Sequence, residues 1–283
     1  MLRMPAQSTW EWLVEAALSE DVGPGDATSL AVLPDGLAGS ARIEARAPIV
    51  VAGLDVARLV FERCDSRFES LVADGDRVER YAVLATVRGE ALGILSAERT
   101  ALNFLQRLSG IATLTHEYCS AVRGTRAEII DTRKTTPGWR QLEKYAVRCG
   151  GGGNHRMGLF DGILIKDNHI AAVGGVSAAV KLARSKGPRG MKIRIEVEST
   201  EAAREAIDAG ADALLVDNQP PSTIAEVVAL AAGRVRVETS GGVSLETVAE
   251  IARTGTDEIS VGALTHSAPA ADIALEWNVI SSN

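Results

Sequence analysis

Arg133 and Lys134 stand side by side in the run DTRKTTPGWRQ, and Arg156 and Lys166 follow within NHRMGLFDGILIKDNH. Side chains of this kind grip anions: a guanidinium meets a carboxylate with two parallel hydrogen bonds, and a lysine ammonium serves phosphate as a point charge. From Asp131 to His169 there are seven Lys/Arg against four Asp/Glu, a surplus of three, whereas the rest of the chain sums to −10 and the whole to −7. A local positive field on an acidic chain suits a small anionic ligand; nucleic acid asks for a broad basic face. Gly150–Gly153 precede Asn154, His155 and Arg156 and read as a close backbone turn that presents those side chains. Burying Arg156 or Lys166 without an anion is costly, which favours ligand roles for both. His169 reads as a structural hydrogen-bonder, and Lys144 or Arg148 as part of a solvated basic helix face.

Two further stretches suit a phosphate. In VETSGGVSLETVAE a strand ends at Ser240-Gly241-Gly242 ahead of a helix expected near Ser244; in SVGALTHS, Gly262 and Ala263 follow the next strand, with His266 nearby. Glycines let a ligand approach the backbone, and a helix start offers unpaired N–H groups. Glu196 and Asp217 end neighbouring strands, where such carboxylates hold magnesium, bind sugar hydroxyls, act as acid and base, or balance the lysines.

The elements that must position these residues alternate regularly. From about Ala127 onward, AEIID, GILIK, KIRIEVE, ALLVD, VRVE and EISVG read as strands, separated by alanine-rich helices with Ser, Thr or Pro at their starts and Gly past several ends. Short connections between strand and helix imply parallel strands. Polar residues gather at the strands' C-terminal ends, which favours a barrel mouth over an open line of sites. The first hundred or so residues differ: a helix over Trp10–Ser19, the strand-like SARIEARA, IVVAG, FESLVA, RVER and VLATVRG, and a helix over Leu54–Arg63 suggest a separate α+β unit. A long helix over Ile94–Arg123 joins the two.

Hydrophobic residues at 46% and charged residues at 24% are ordinary for a soluble globular protein, and no run of eighteen apolar residues exists to span a bilayer. The N-terminus lacks the basic start and unbroken apolar stretch of a signal peptide, so a cytoplasmic protein is expected. Cys64, Cys119 and Cys149 are widely spaced and read as buried reduced thiols.

The stretches AERTALNFLQRLSGIAT, DTRKTTPGWRQLEKYAVRCGGGGNHRMGLFDGILIKDNHI, IEVES, LLVDN, ETSGGVS and VGALTHS, with SEDVGPGDATS near the start, resemble the quinolinate phosphoribosyltransferase family along nearly the whole chain. That family is also called carboxylating nicotinate-nucleotide pyrophosphorylase. The resemblance implies an α/β fold: an incomplete, seven-stranded α/β barrel over 111–268 and an N-terminal α/β sandwich over 1–110, with 269–283 packing back on the sandwich. It implies transfer of phosphoribosyl from 5-phosphoribosyl 1-pyrophosphate to quinolinate with magnesium, releasing pyrophosphate and carbon dioxide and leaving nicotinate mononucleotide for NAD synthesis. Homodimers or larger assemblies are implied, with Arg99 completing the neighbour's site. Arg133, His155 and Arg156 resemble the quinolinate ligands, with Lys134 and Lys166 between quinolinate and pyrophosphate. Glu196 and Asp217 resemble the carboxylates near magnesium and ribose; Ser240, Gly241, Gly242, Gly262 and His266 resemble the 5-phosphate loops. Trp139 and Cys149 stand where the resemblance implies smaller or less reactive residues. The alternatives are a same-fold relative acting on another acid, of the molybdenum-transport-associated type, a lyase forming a Schiff base at Lys166, and a binding protein without turnover.

Overall fold

The structure is a computed structural model and describes residues 2–278. They fall into two compact units. One comprises the chain up to His116, Thr135–Gly151 and the segment from Leu264; the other comprises Glu117–Lys134 and Gly152–Ala263. The grouping departs from bounds of 1–110 and 111–268, because Thr135–Gly151 and the residues just after Ala263 join the first unit.

Along the chain, α1 (Glu11–Asp21), α2 (Ala27–Val32), β1 (Ala38–Ala45), β2 (Ile49–Val50), α3 (Leu54–Arg63), β3 (Arg67–Ser70), β4 (Arg77–Val78) and β5 (Val83–Glu90) lead into the long α4 (Ala91–Ala121). Then come β6 (Glu128–Ile130), α5 (Arg140–Cys149), β7 (Ile163–Ile165), α6 (Asp167–Val173), α7 (Val176–Lys186), β8 (Ile193–Val197), α8 (Thr200–Asp208), β9 (Ala213–Asp217), α9 (Pro221–Ala231), β10 (Arg236–Ser240), α10 (Val248–Arg253), β11 (Glu258–Ser260), α11 (Ala263–His266) and β12 (Ile273–Trp277). No described helix is long and apolar enough to cross a membrane.

The first unit is built on an antiparallel sheet ordered β12-β1-β5-β3, with β2 and β4 as a separate pair. Alternation along β1 buries Ala41 and Ile43, and Phe61 of α3 stacks on Phe68 of β3 at 5.8 Å. β12 pairs with β1, and Gln106 Nε2 of α4 donates to the Ile273 carbonyl at 2.8 Å. α5 joins this unit through Tyr145, whose hydroxyl donates to Asp74 at 2.8 Å, and through the fully buried Glu143, which accepts from Arg107 Nη2 at 2.8 Å. Lys144 is buried, at 1% exposure, and not on a solvated face as its charge suggested. Trp139 stacks on Phe104 at 4.7 Å, which accounts for an aromatic ring there.

The second unit holds a parallel sheet ordered β6-β11-β10-β9-β8-β7, with β6 and β7 as its unclosed edges. The expected seventh strand is reduced to a single parallel bridge between Ile130 and Gly153 beside β6. Ile193, Ile195 and Val197 are buried on one face of β8, and the intervening Arg194 and Glu196 take the other. α10 begins at Val248, later than Ser244, because Ser244 and Thr247 first form a turn in which the Thr247 hydroxyl accepts the Ser244 N–H at 3.0 Å.

The glycine run is a fitted segment. A Cβ on Gly150 would lie 2.3 Å from the Ala112 carbonyl oxygen of α4 and 2.6 Å from Thr115 Cβ, and one on Gly153 would lie 2.4 Å from Glu128 Oε1. Gly150 is glycine because the backbone of α4 comes too close for a side chain, whereas at Gly153 the nearest atom is the movable end of the Glu128 side chain. Gly150→Ala is expected to destabilise the protein by about 1–3 kcal/mol through overpacking against backbone, read as a lower urea midpoint; an unchanged midpoint would contradict this packing.

Candidate active site

Lys166 follows β7 and caps α6. Its N–H donates to His169 Nδ1 at 3.0 Å, which gives His169 the structural role its type suggested. Lys166 Nζ, on a half-exposed side chain, pairs with Glu196 Oε2 of the adjacent β8 at 2.8 Å. Asp217 ends β9 in register with Ser240 of β10, and its carboxylate accepts from Asn218 Nδ2 at 2.8 Å. Asn218 sits at a left-handed φ of 53°, and its N–H donates to the Ser240 carbonyl at 2.9 Å. This bond ties the exit of β9 to that of β10. Gly241, at φ 88°, lies so close that a Cβ would fall 2.2 Å from Asn218 Oδ1, so both the backbone conformation and the space require glycine. Gly242 follows at φ 61°, and Gly262 lies just past β11, the strand beside β10, so the two glycine loops are neighbours.

On the other edge of the sheet, β6 runs into Asp131, Arg133 and Lys134. Asp131 is fully buried and accepts from Asn154 Nδ2 at 2.6 Å and from the His155 N–H at 2.8 Å, so the end of β6 holds the returning chain in place. Lys134 N–H donates to Thr132 Oγ1 at 3.0 Å, which shapes the exit of the exposed Arg133 and Lys134. Arg156 is partly buried, and its Nη1 donates to the Gly162 carbonyl at 2.8 Å. Burial, reinforced by the like charges of Arg133 and Arg194 and opposed by Asp161, pulls the Arg156 guanidinium below its ordinary value. Arg133 and Arg156 thus belong to two segments that Asp131 ties together through the His155 N–H.

Beneath them the inward face of the sheet is ionic. Arg194 bridges Glu238, in a short contact through Nη1, and Glu258 Oε2, at 2.6 Å through Nη2; Arg236 reaches Glu258 Oε1 at 3.0 Å. Glu238 is 1% exposed. Burial alone would raise its carboxyl, but the hydrogen bond from His155 and the charge of Arg194 hold it below the usual carboxylate range. A cavity of about 420 Å³ opens at the N-terminal ends of these strands, bordered by His155, Arg156, Arg194, Arg236, Asp212 and Glu258. It lies at the opposite end of the strands from Lys166, Asp217 and Gly241, and shares only His155 and Arg156 with the proposed ligand set.

The second unit thus brings together Arg133, His155 and Arg156, joins Lys166 to Glu196, and sets Asp217 beside Ser240, Gly241 and Gly242. Arg99, exposed on α4, and His266, exposed on α11 with Nδ1 at 2.7 Å from Ser267 Oγ, lie in the first unit. Among the described residues no three His, Cys, Asp or Glu side chains gather as a metal cluster. Glu196 and Asp217 supply oxygen donors of the kind that suits magnesium carried on a phosphorylated substrate. Of the three cysteines expected to be buried, Cys149 is, and Cys64 and Cys119 are half-buried; burial pushes Cys119 and Cys149 up to about 11 and about 12 and raises Cys64 as well, which makes all three poor nucleophiles. Arg194 and its ties to Glu238 and Glu258 join residues far apart in the sequence. The available signal was the alternation in KIRIEVE and VRVE, where charges occupy every second position of strands that would otherwise be apolar.

Two family models match the chain: quinolinate phosphoribosyl transferase, N-terminal domain, over residues 26–109, and the C-terminal domain of the same family over 111–276. The chain is 44% identical over 259 residues to a probable carboxylating nicotinate-nucleotide pyrophosphorylase of Bacillus subtilis, covering 91% of this chain and 89% of that one. It is also 44% identical over 271 residues to the carboxylating nicotinate-nucleotide pyrophosphorylase of Mycobacterium leprae, covering 93% and 95%. Among solved structures, the nicotinate-nucleotide pyrophosphorylase from Francisella tularensis superposes with a TM-score of 0.93 at 37% identity, covering 98% of each chain.

Proposed function

The chain belongs to the quinolinate phosphoribosyltransferase family, and we propose on that premise that it transfers phosphoribosyl from 5-phosphoribosyl 1-pyrophosphate to quinolinate in NAD synthesis. Pyrophosphate and carbon dioxide leave, and nicotinate mononucleotide remains. The observation that supports the reading is the tie between the exit of β6, which bears Arg133, and the segment that bears His155 and Arg156, made by Asp131, which accepts the His155 N–H at 2.8 Å. A dicarboxylated ring would offer the cations of those two segments two anionic groups at once.

The attacking pyridine nitrogen brings its own lone pair, so no protein base has to remove a proton from it. Catalysis then rests on placing the nitrogen against the sugar carbon, stabilising positive charge on the ribose, and neutralising the departing pyrophosphate. In this reading Arg133, His155 and Arg156 hold quinolinate. Lys134 and Lys166 stand between it and the pyrophosphate. The Glu196 and Asp217 carboxylates face the ribose, and Ser240, Gly241, Gly242, Gly262 and His266 receive the 5-phosphate. Magnesium, when bound with the donor, neutralises phosphoryl charge, and Glu196 and Asp217 are the carboxylates suited to it. Lys166 is engaged by Glu196 at 2.8 Å, an arrangement that fits a charge-bearing lysine and disfavours the neutral amine of a Schiff-base lyase. The three free thiols support placing the enzyme in the cytoplasm.

The deciding experiment incubates the protein with quinolinate, the phosphoribosyl donor and magnesium. Carbon dioxide and nicotinate mononucleotide are expected in equal amounts. Turnover with another ring acid but not with quinolinate would reassign the substrate, and binding without turnover would make it a binding protein. Arg156→Ala is expected to weaken quinolinate binding by about 2–5 kcal/mol, the usual cost of truncating one partner of a buried charge pair; near-normal affinity in calorimetry would remove Arg156 from the site. For the shared site of a homodimer, Arg99→Ala and Lys166→Ala should each be inactive and regain part of the activity when subunits are exchanged. Mixed dimers with no recovery would count against Arg99 serving a neighbour.

A further inference from the structure

His155 has both ring nitrogens engaged inside the second unit. Nδ1 accepts the N–H of Arg156 at 2.7 Å, so that nitrogen is bare and the ring proton sits on Nε2. Nε2 lies 3.4 Å from Glu238 Oε2 and 2.9 Å from Arg194 Nη1. With its proton in place Nε2 donates to the carboxylate, and the approach of Arg194 Nη1 is that of a second donor converging on the same carboxylate. Glu238 is the anchor of this arrangement. It is buried on β10 and fixed in turn by Arg194, which Glu258 holds from the other side.

The chain of contacts therefore runs from a rigid strand to a loop backbone: Glu238 to the His155 ring, and the ring to the Arg156 peptide. Asp131 fixes the preceding peptide from β6, since it accepts the His155 N–H at 2.8 Å. The two carboxylates hold successive N–H groups of one short segment, Asp131 directly and Glu238 through an imidazole. Resting on the quinolinate reading above, we infer that Glu238, held by Arg194, is a positioning residue for quinolinate: it locks the His155 ring so that the Arg156 guanidinium meets the diacid from one fixed place.

A group that acts by placing another should affect one ligand and not all of them. Glu238→Gln keeps the shape but loses the charge and one of two acceptor oxygens, so its hold on the ring and on Arg194 should weaken. Quinolinate affinity is expected to fall on the order of 10- to 100-fold, the scale of a misplacement of about 1 Å, with affinity for the phosphoribosyl donor unchanged. Because this variant leaves Arg194 short of a partner, the double variant Arg194→Met with Glu238→Leu provides the companion test. Replacing a buried pair by apolar groups often preserves stability, and Glu258 keeps Arg236 at 3.0 Å. The same selective loss is expected.

The direct readout is the nitrogen resonances of isotope-labelled histidine in the wild-type protein. His155 should carry its proton on Nε2 with Nδ1 bare, and Glu238→Gln should shift both the ring signals and the Arg156 amide. A folded double variant that binds quinolinate like wild type would overturn the inference. So would equal losses for both ligands, or a wild-type ring protonated at Nδ1. Should wild-type protein ignore quinolinate, the proposed function fails on that result, and the ring resonances separately decide whether Glu238 holds His155. They also decide it if the double variant does not fold.

Discussion

Setting the exit of β6, with Arg133, beside the segment that carries His155 and Arg156 is the constraint on which the candidate site depends. Burial first, and then the like charges of Arg133 and Arg194, lower the basicity of Arg156. Cations gathered on these segments call for something stiffer than a side-chain contact. Here it lies at the backbone: the buried Asp131 at the end of β6 binds the Asn154 side chain and the His155 N–H. The adjoining Gly153 lies against Ile130 as a parallel bridge, and Gly150 lies against α4 closer than a side chain would allow. The run of glycines that looks like slack is the means by which a loop is laid tightly against a strand.

Much of this architecture was legible in the sequence because it follows from periodicity. All six parallel strands fall within the runs AEIID to EISVG, apart from small differences at their ends, and α3 has the bounds its apolar pattern gave. α4 begins at Ala91 and not Ile94, a shift of the size that fraying and caps produce. What escaped has physical reasons. α6 is seven residues long and starts on Asp-Asn-His, types that favour turns; it is held by the contact between Lys166 N–H and His169, which no propensity encodes. The burial of Lys144 escaped because helix position states which way a residue faces, not what covers that face. The short α10 escaped because Ser244 and Thr247 make a turn of their own first.

The candidate site was legible to a different degree. Arg133, Lys166, Glu196 and Asp217 stand out as charges at strand exits, Arg156 as a charge just past the glycine run, and the glycines of the β10 loop stand out by composition. The ties among Arg194, Arg236, Glu238 and Glu258 did not, because the partners lie from one to three strand-helix units apart. Barrel interiors are commonly filled by branched apolar residues, and an apolar filling would pack equally well. An apolar layer could not present an acceptor to the His155 ring. The buried ions are a poor source of stability in themselves, and their worth lies in fixing the direction of one imidazole.

Strong anion binding and decarboxylation pull in opposite directions. A carboxylate gripped by several cations is stabilised as the reactant, and the carbon–carbon bond breaks only as that negative charge drains into a positively charged ring. The grip must therefore loosen on one carboxylate while the other keeps the ring in place. A guanidinium that already has a partner in the protein can loosen without being stranded, and Arg156 has one in the Gly162 carbonyl at 2.8 Å. In the proposed function its peptide stays fixed through His155 while its side chain exchanges the Gly162 carbonyl for a carboxylate of the ring and back. Rigidity in the backbone and alternatives at the tip are then complementary requirements of the same residue.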